Sequence, residues 1–424
     1  MKILLVGSGG REHAIAWKIR QSPLCEALYI APGNPGTAAL GINLPLKATD
    51  FDALGKFCSG ERIDLVVVGP EAPLVEGIRD YFESSPSLSH IGIVGPGKLG
   101  AQLEGSKDFS KAFMNRHGIP TAAARTFSES ASAISYIQNC KTPIVIKADG
   151  LAAGKGVIIT SSREEASQTV KEILDDKRFG NAGSKVLIED FLTGTELSVF
   201  VLTDGEHFVI LPEAKDYKRI GDDDQGPNTG GMGAVSPVVF AVPDFMKKVE
   251  QRIIAPTING LSKENIPYRG FIFFGLINVS GEPYVIEYNA RMGDPETQSV
   301  MLRLKSDLVP LLHAAAKGSL MGMHAEFQDQ CAVTVSMVAE GYPGDYKKGA
   351  EIKIGKSQSP VFHAGTRLDG HRLLSDGGRV ISATGMGHSI QAAIQQAYET
   401  ASSVRWDGVY FRKDIGKDLL NWKN

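Results

Sequence analysis

Short apolar runs alternate with helical patterns through the first hundred residues of the chain. Four of these runs have the composition of buried β-strands, at residues 2–6, 27–30, 64–68 and 91–94. Each run ends in a segment rich in Gly or Pro, and helical patterns such as that of residues 13–21 lie between them. This order predicts a parallel sheet with crossover helices. Ligands of such sheets bind at the carboxyl ends of the strands.

A different pattern begins after Leu103, where a helical segment is followed by further strands and glycine-rich loops. Residues 143–160 predict a strand, a loop of small residues and a second strand, which together form a hairpin with a mobile glycine-rich flap. Residues 185–202 predict two strands around a turn. Residues 215–237 are rich in Gly and Asp and predict a long functional loop.

The last part of the chain predicts a small α+β domain that covers a substrate cleft. Strand patterns follow residue 330 and precede an amphipathic run at 388–404, and His363 is expected to be structural rather than catalytic. The predicted fold class is therefore a multidomain α/β and α+β chain with a Rossmann-like first domain. We expect three domains, at residues 1–103, 104–329 and 330–424.

Composition limits the partners that the protein can bind. The 424 residues carry a formal net charge of -3, which gives no long-range field for nucleic acid or an anionic membrane. The four cysteines are scattered without zinc spacing, as is typical of a reduced cytosol. The apolar runs are too short for a membrane span or a signal peptide. We therefore expect a cytoplasmic protein that is a monomer or small homo-oligomer.

The run that ends at Asn289 carries the chemistry of a metal-nucleotide site. Because alternate residues of a strand share a face, Glu287 and Asn289 are expected to point together, beside the cation of Arg291. Their oxygens suit a hard cation such as Mg²⁺. A lone Glu-x-Asn is more often a solvated strand edge. Lys107 and Lys147 strengthen the functional interpretation, since both are expected to reach phosphate oxygens beside the flap.

A second candidate site is the glycine loop of residues 7–10, which opens into a helix. The third glycine of the dinucleotide fingerprint would fall at position 12, where the chain has Glu12. Free backbone N–H groups at a helix N-terminus would still bind a single phosphate. A tight turn that needs only glycine's conformational freedom remains an equal alternative.

An ordered set of motifs identifies the family that the chain resembles. The motifs are GSGGREHA, APGNPGTA, GPEAPLV, QLEGSKDF, IVIKADGLAAGKGV, DYKRIGDDDQGPNTGGMGA and IEYNARMGDPETQ. Together they resemble the phosphoribosylamine–glycine ligases of the ATP-grasp superfamily, from Lys2 to about Ile390. The resemblance implies that ATP, glycine and 5-phosphoribosylamine give glycinamide ribonucleotide, ADP and phosphate through glycyl phosphate, in purine synthesis.

The resemblance also implies that the domain at 1–103 binds substrate, that the domain at 104–329 is the nucleotide-binding ATP-grasp domain, and that the domain at 330–424 is a cap. It further implies roles for individual residues. Glu287 and Asn289 would hold Mg²⁺ or Mn²⁺, Arg291 and Lys147 would act in catalysis, and Glu296 would complete the glycine pocket with Asp294. The ATP contacts would be Lys107, Lys147, Gly154, Lys155, Gly156, Glu189 (purine) and Glu196 (ribose). The substrate contacts would be Gly9, Gly10, Glu71, Asp216, Lys218, Arg291 and Asp294.

Three other functions remain open at this point. A nicotinamide oxidoreductase is disfavoured by the glutamate at position 12. A non-catalytic nucleotide sensor would have little need for both a metal pair and a closing flap. A sister ligase with another carboxylate donor is the nearest alternative, because glycine is too small to leave a pocket signature.

Overall fold

The computed structural model describes residues 1–152, 156–420 and 422, and its first part is a five-stranded parallel sheet. The strands are β1 (Lys2–Gly7), β2 (Ala27–Pro32), β3 (Ile42–Asn43), β4 (Leu65–Val68) and β5 (Gly92–Val94). The helices are α1 (Gly10–Ile19), α2 (Phe51–Glu61), α3 (Glu71–Glu76) and α4 (Ile78–Ser84). The strand order is β3-β2-β1-β4-β5, and all four pairs are parallel, which confirms the predicted parallel sheet. The order reverses between β1 and β4, so the crevice lies beside the loops after Gly7 and Val68.

A four-stranded antiparallel sheet follows and contains the predicted hairpin. Its strands are β6 (Ala124–Phe127), β7 (Ile144–Ala148), β8 (Val157–Thr160) and β9 (Val186–Asp190), in the order β6-β9-β7-β8. The helices of this part are α5 (Gln102–Gly105), α6 (Lys107–Arg116), α7 (Ser130–Ile137) and α8 (Arg163–Leu174). The sheet has its own apolar core, which includes Ile146, Val170 and Ile188.

The rest of the described chain builds an eight-stranded antiparallel sheet and three two-stranded sheets. The remaining strands are β10 (Thr195–Thr203), β11 (Phe208–Asp216), β12 (Arg219–Gly221), β13 (Gln225–Asn228), β14 (Gly233–Ser236), β15 (Gly270–Val279), β16 (Glu282–Asn289), β17 (Cys331–Val338), β18 (Lys353–Ile354), β19 (Val361–His363), β20 (Thr366–Asp369), β21 (Arg372–Ser375), β22 (Arg379–Gly387) and β23 (Val404–Arg405). The helices are α9 (Pro243–Val249), α10 (Ala255–Lys263), α11 (Glu296–Arg303), α12 (Leu308–Lys317), α13 (Ile390–Ser402) and α14 (Lys417–Leu420). In the described residues the sheet order is β16-β15-β10-β11-β14-β17-β22-β19.

The two strands predicted within 185–202 are β9 and β10, which lie in different sheets, because β9 belongs to the four-stranded sheet and β10 pairs with β11 and β15. The prediction of a loop at 215–237 was wrong in part. The predicted loop at 215–237 contains the hairpin of β12 and β13 and then β14. Its Gly, Pro and Asp residues hide these strands from a pattern based on apolar alternation.

The C-terminal strands continue the same sheet as the central ones. β14 pairs with β17, and β17 pairs with β22, so the main-chain ladder crosses residue 330 without a break. The domain limits at residues 103 and 329 stay predictions. One apolar core also includes Leu5 and Val67 of the first sheet together with Phe200 and Leu312. None of the described helices combines the length and apolarity needed to cross a membrane.

We predict opposite effects on stability for two glycine-to-alanine changes. A methyl group at Gly385 of β22 would lie 2.5 Å from the carbonyl oxygen of Ala393 on α13, so Gly385→Ala should destabilise the fold by about 2 kcal/mol through overpacking. Gly60 lies within α2, and a methyl group there would meet no atom within 4 Å apart from the neighbouring backbone of its own helix, so Gly60→Ala should stabilise the helix by about 0.5–1 kcal/mol. Midpoints of thermal unfolding measure both effects, and an unchanged midpoint for Gly385→Ala would contradict this packing.

Candidate active site

A β-bulge shapes the strand that carries the expected metal ligands. Gly275 on β15 pairs with Glu287, whereas the next residue, Leu276, pairs with Val285, so Ile286 is the extra residue of β16. After the bulge the register is regular, which places Glu287 and Asn289 on one half-buried face. The bulge lets Val285 turn into the core while Glu287 and Asn289 stay half-buried.

Two lysines and a glutamate bind each other beside this bulge. Lys147 Nζ donates to the carbonyl oxygen of Ile286 at 3.1 Å and lies 2.8 Å from Glu189 Oε2. The other oxygen of Glu189 lies 3.5 Å from Nζ of Lys111 on α6. Both oxygens of Glu189 are therefore engaged by lysines, and the purine contact expected of this residue stays a prediction.

Lys107 is held at the base of the flap. Its Nζ donates to the carbonyl oxygens of Asp149 and Gly150, at 3.3 and 3.1 Å. Burial lowers the pKa of Lys107, and the Glu287 carboxylate partly opposes this effect. Gly156 accepts a hydrogen bond from the N–H of Ala148 at 2.8 Å. Gly154 and Lys155 lie outside the described residues, so their expected role stays a prediction.

A group of acids and one lysine lies next to Glu287. Lys218 Nζ is 2.8 Å from Glu196 Oε2, and the Lys218 charge lowers the pKa of Glu196. Burial disfavours the charge of Lys218, yet the carboxylates of Asp216, Glu196 and Glu287 raise its pKa well above the ordinary value. The structure thus brings these expected ATP, substrate and metal residues into one electrostatic group.

Glu296 begins α11 at the edge of this group. It is buried, and its Oε1 accepts a hydrogen bond from Ser198 Oγ at 3.0 Å. Burial, reinforced by the charge of Asp216, raises the pKa of Glu296 to about 7. Burial also raises the pKa of Asp216. The pair therefore supplies a carboxyl group that takes up or releases a proton near neutral pH.

Arg291 joins the end of β16 to the first sheet. Its Nη2 lies 2.7 Å from Glu104 Oε1, and its Nε lies 3.5 Å from Glu71 Oε2. Glu104 also accepts the N–H of Ala290 at 2.8 Å, so the carboxylate that pairs with Arg291 is itself anchored to the main chain at the end of β16. Burial alone would raise the pKa of Glu71, but the guanidiniums of Arg291 and Arg11 hold it below its ordinary value.

The N-terminus of α1 is already occupied by the protein's own carboxylates. The N–H of Gly9 donates to Glu12 Oε2 at 2.6 Å, and the N–H of Arg11 donates to Asp294 Oδ2 at 3.4 Å. Gly10 is closely covered, since a methyl group there would lie 2.6 Å from Gln298 Nε2. Glu12 therefore takes the place that a phosphate would need at Gly9, and the phosphate contact at Gly9 and Gly10 stays a prediction.

Three residues that the sequence analysis did not single out contact this region. They are Lys111, Glu104 and Arg379. Arg379, on β22, donates through Nη1 to the carbonyl oxygens of Gly230 and Asp294, both at 2.5 Å. The sequence signal that could have identified Glu104 is its place in the motif QLEGSKDF, one turn before α6. Arg379 lies in a segment without any recognisable motif, so no local signal marked it.

The donor set at β16 fits a divalent cation that is shared with a ligand. Among the described residues, no group of three or more His, Cys, Asp or Glu side chains is arranged to hold a metal. Glu287 and Asn289 supply two hard oxygen donors. Mg²⁺ is commonly bound by one or two protein oxygens together with phosphate oxygens and water, so two protein donors are sufficient.

Family models match nearly the whole chain. The N domain of phosphoribosylglycinamide synthetase matches residues 1–104. The ATP-grasp (A) domain of the same family matches residues 105–297, and its C domain matches residues 332–418. The resemblance seen in the ordered motifs is thereby confirmed.

Individual proteins give the same result. The chain is 47% identical over 428 residues to the phosphoribosylamine–glycine ligase of Escherichia coli O157:H7 and 48% identical over 425 residues to that of Salmonella typhi, with 98% of both chains covered in each case. The crystal structure of phosphoribosylamine–glycine ligase from Thermotoga maritima matches with a TM-score of 0.87 at 36% identity, over 98% of this chain and 100% of that one.

A more distant structure shares only the fold. The biotin carboxylase domain of 2-oxoglutarate carboxylase from Hydrogenobacter thermophilus, solved in complex with MgADP, ADP and bicarbonate, matches with a TM-score of 0.73 at 15% identity. The match covers 100% of this chain and 99% of that one. The expected architecture, with an N-terminal parallel sheet and a central ATP-grasp part, is confirmed.

We predict that Glu296 makes stability depend on pH. Because its pKa is about 7 in the folded protein and 4.5 ordinarily, the unfolded chain ionises first, so stability should fall as pH rises between these values. Glu296→Gln keeps an acceptor for Ser198 and removes the ionisation. Thermal midpoints from pH 4 to 8 should therefore decline less in Glu296→Gln than in the wild type. Glu164→Gln, at an exposed position on α8, serves as the control and should follow the wild type.

Proposed function

The chain belongs to the phosphoribosylglycinamide synthetase family of ATP-grasp ligases, and from this premise we propose how its own residues carry out the reaction. The proposed chemistry is transfer of the γ-phosphoryl group of ATP to the carboxylate of glycine, which gives glycyl phosphate. The amine of 5-phosphoribosylamine then attacks the acyl carbon and releases phosphate. The products are glycinamide ribonucleotide, ADP and phosphate.

The main support for the proposal is the set of lysines around Glu287. Lys107 and Lys218 both lie within electrostatic reach of Glu287, and Lys147 binds the bulge carbonyl directly before it. Phosphoryl transfer depends mainly on positioning and charge neutralisation. A strand that presents Glu287 and Asn289 among these cations supports a site for a metal-bound triphosphate.

We assign the nucleotide contacts as follows. Lys107 and Lys147 bind phosphate oxygens, and Glu196 accepts the ribose hydroxyls. The main chain at Glu189 contacts the purine, since its carboxylate is taken by lysines. Glu287 and Asn289 hold the divalent cation, Mg²⁺ or Mn²⁺, whose charge would neutralise phosphate oxygens.

The flap between β7 and β8 is proposed to close over the nucleotide. Its base is tied to α6, because Lys107 donates to Asp149 and Gly150. Closure would exclude water, which otherwise hydrolyses an acyl phosphate. Gly154, Lys155 and Gly156 are assigned to this flap.

Glycine and the aminosugar are proposed to lie between β16 and the first sheet. Arg291, steadied by Glu104, offers a planar guanidinium to the glycine carboxylate or the developing acyl phosphate. Asp216, Lys218, Asp294 and Glu296 complete that pocket. The aminosugar lies near Glu71, and its phosphate near Gly9 and Gly10. For the phosphate to use the Gly9 N–H, the Glu12 carboxylate must move away. We further propose that the enzyme acts in the cytoplasm.

We predict that formation of ADP requires both small substrates. Purified protein with MgATP should release ADP rapidly only when glycine and freshly generated 5-phosphoribosylamine are both present. With alanine or serine in place of glycine the rate should drop by on the order of 10-fold or more, because the closed pocket must reject added atoms. A coupled ADP assay measures these rates. Equal rates with all three amino acids would contradict glycine as the donor.

We predict that Glu287→Gln weakens the metal-nucleotide complex. The change keeps the shape of the side chain but removes the anionic ligand, so kcat/KM for MgATP should fall by about 100-fold. Glu282→Gln lies on the same strand, where Glu282 pairs with Lys248 and Arg252 on the surface, and should change kcat/KM less than about 2-fold. Full activity of Glu287→Gln at ordinary Mg²⁺ would rule out its role as a ligand.

A further inference from the structure

The buried group around Glu189 carries more positive charge than its single carboxylate neutralises. Glu189 is 4% exposed, and the two lysines that contact it, Lys147 and Lys111, are 5% and 8% exposed. With both lysines protonated, the group holds one unbalanced positive charge. Burying a charge without a partner is costly, so an anion that binds beside this group is strongly favoured.

The two lysines differ in the donors that they have left. Lys111 Nζ donates to Thr121 Oγ1 at 2.5 Å and to the Ala122 carbonyl oxygen at 3.0 Å, in addition to its ion pair with Glu189. Its three hydrogens are therefore used by the protein. Lys147 has the Ile286 carbonyl oxygen and Glu189 as its acceptors within the described part of the chain. One hydrogen of Lys147 thus remains for a ligand.

We propose that Lys111 is a positioning residue for nucleotide binding. Lys111 and Lys147 compete for the Glu189 carboxylate, so Lys111 keeps the charge of Lys147 available to a phosphate oxygen. The inference rests on the proposed function, in which Lys147 binds a phosphate oxygen. Without Lys111, both oxygens of Glu189 would be left to Lys147, and the buried group would be neutral. The phosphate would then gain less from Lys147, although Lys111 itself never contacts the nucleotide.

The protonation of Lys111 gives a second readout. Burial lowers the pKa of Lys111 to about 8, the charge of Lys147 adds to this lowering, and Glu189 opposes it. These are the charged groups that face Lys111, from β7 and β9. A bound phosphate would raise this pKa, so above pH 8 the protein must take up a proton when it binds nucleotide. The affinity for nucleotide should therefore decrease as pH rises from 7 to 9.

The test is calorimetric titration of the full chain with MgADP. At pH 7, Lys111→Met should bind MgADP about 10-fold more weakly than the wild type, a difference of about 1.4 kcal/mol. The double variant Lys111→Met with Glu189→Gln removes one charge of each sign and should return to within about 3-fold of the wild type. Lys171→Met, at an exposed position on α8, is the control and should bind as the wild type does. The decrease in affinity between pH 7 and 9 should be smaller in Lys111→Met.

Two results would overturn the proposal. One is an unchanged affinity for MgADP in a folded Lys111→Met variant, and the other is a double variant that binds MgADP no better than the single variant. Circular dichroism checks the fold. If Lys111→Met does not fold, the double variant decides alone, and affinity well below the wild type would reject the proposal. A wild-type protein that binds no MgADP would instead reject the nucleotide site of the proposed function.

Discussion

The pairing of β16 with β15, interrupted by the bulge at Ile286, is the constraint on which the candidate site depends. The carbonyl oxygen of Val285 accepts a hydrogen bond from Thr121, and that of Ile286 accepts one from Lys147, so the segment between α6 and β6 and the four-stranded sheet are both attached to this strand. It then presents Glu287 and Asn289 on one half-buried face and leads into Arg291. A bulge bends a strand without ending its ladder, which explains how one strand serves the core and the cleft together.

Around this strand the charged side chains are mutually paired rather than isolated. Arg291 lies between Glu104 and Glu71, and Lys218 lies among three carboxylates. Such pairing holds the side chains in place before any ligand arrives, which lowers the ordering cost of binding. The group around Glu189 differs, because two lysines share one carboxylate. Positive charge is therefore in excess where the triphosphate is proposed to bind.

The first sheet and the C-terminal segment both reach the same cleft. Arg11 of α1 donates to the carbonyl oxygen of Met292 at 3.2 Å, and its main-chain N–H binds Asp294. Arg379 of β22 binds the Asp294 carbonyl oxygen from the other side. The loop after β16 is therefore fixed from two parts of the chain that are far apart in sequence. The C-terminal segment thus supplies a positioning contact for this loop, and its role as a cover stays a prediction.

The sequence by itself determined the parallel sheet, the β7–β8 hairpin and the shared face of Glu287 and Asn289, because strand and helix periodicities are local. The ordered motifs determined the family. Only the tertiary structure decided that Glu104, Lys111 and Arg379 belong to the site. It also decided that β9 and β10 lie in different sheets and that the segment 215–237 contains paired strands. Glu104 and Ala290 are 186 residues apart. Charges pair by distance in space, and the spacing of apolar residues along the chain does not encode that distance.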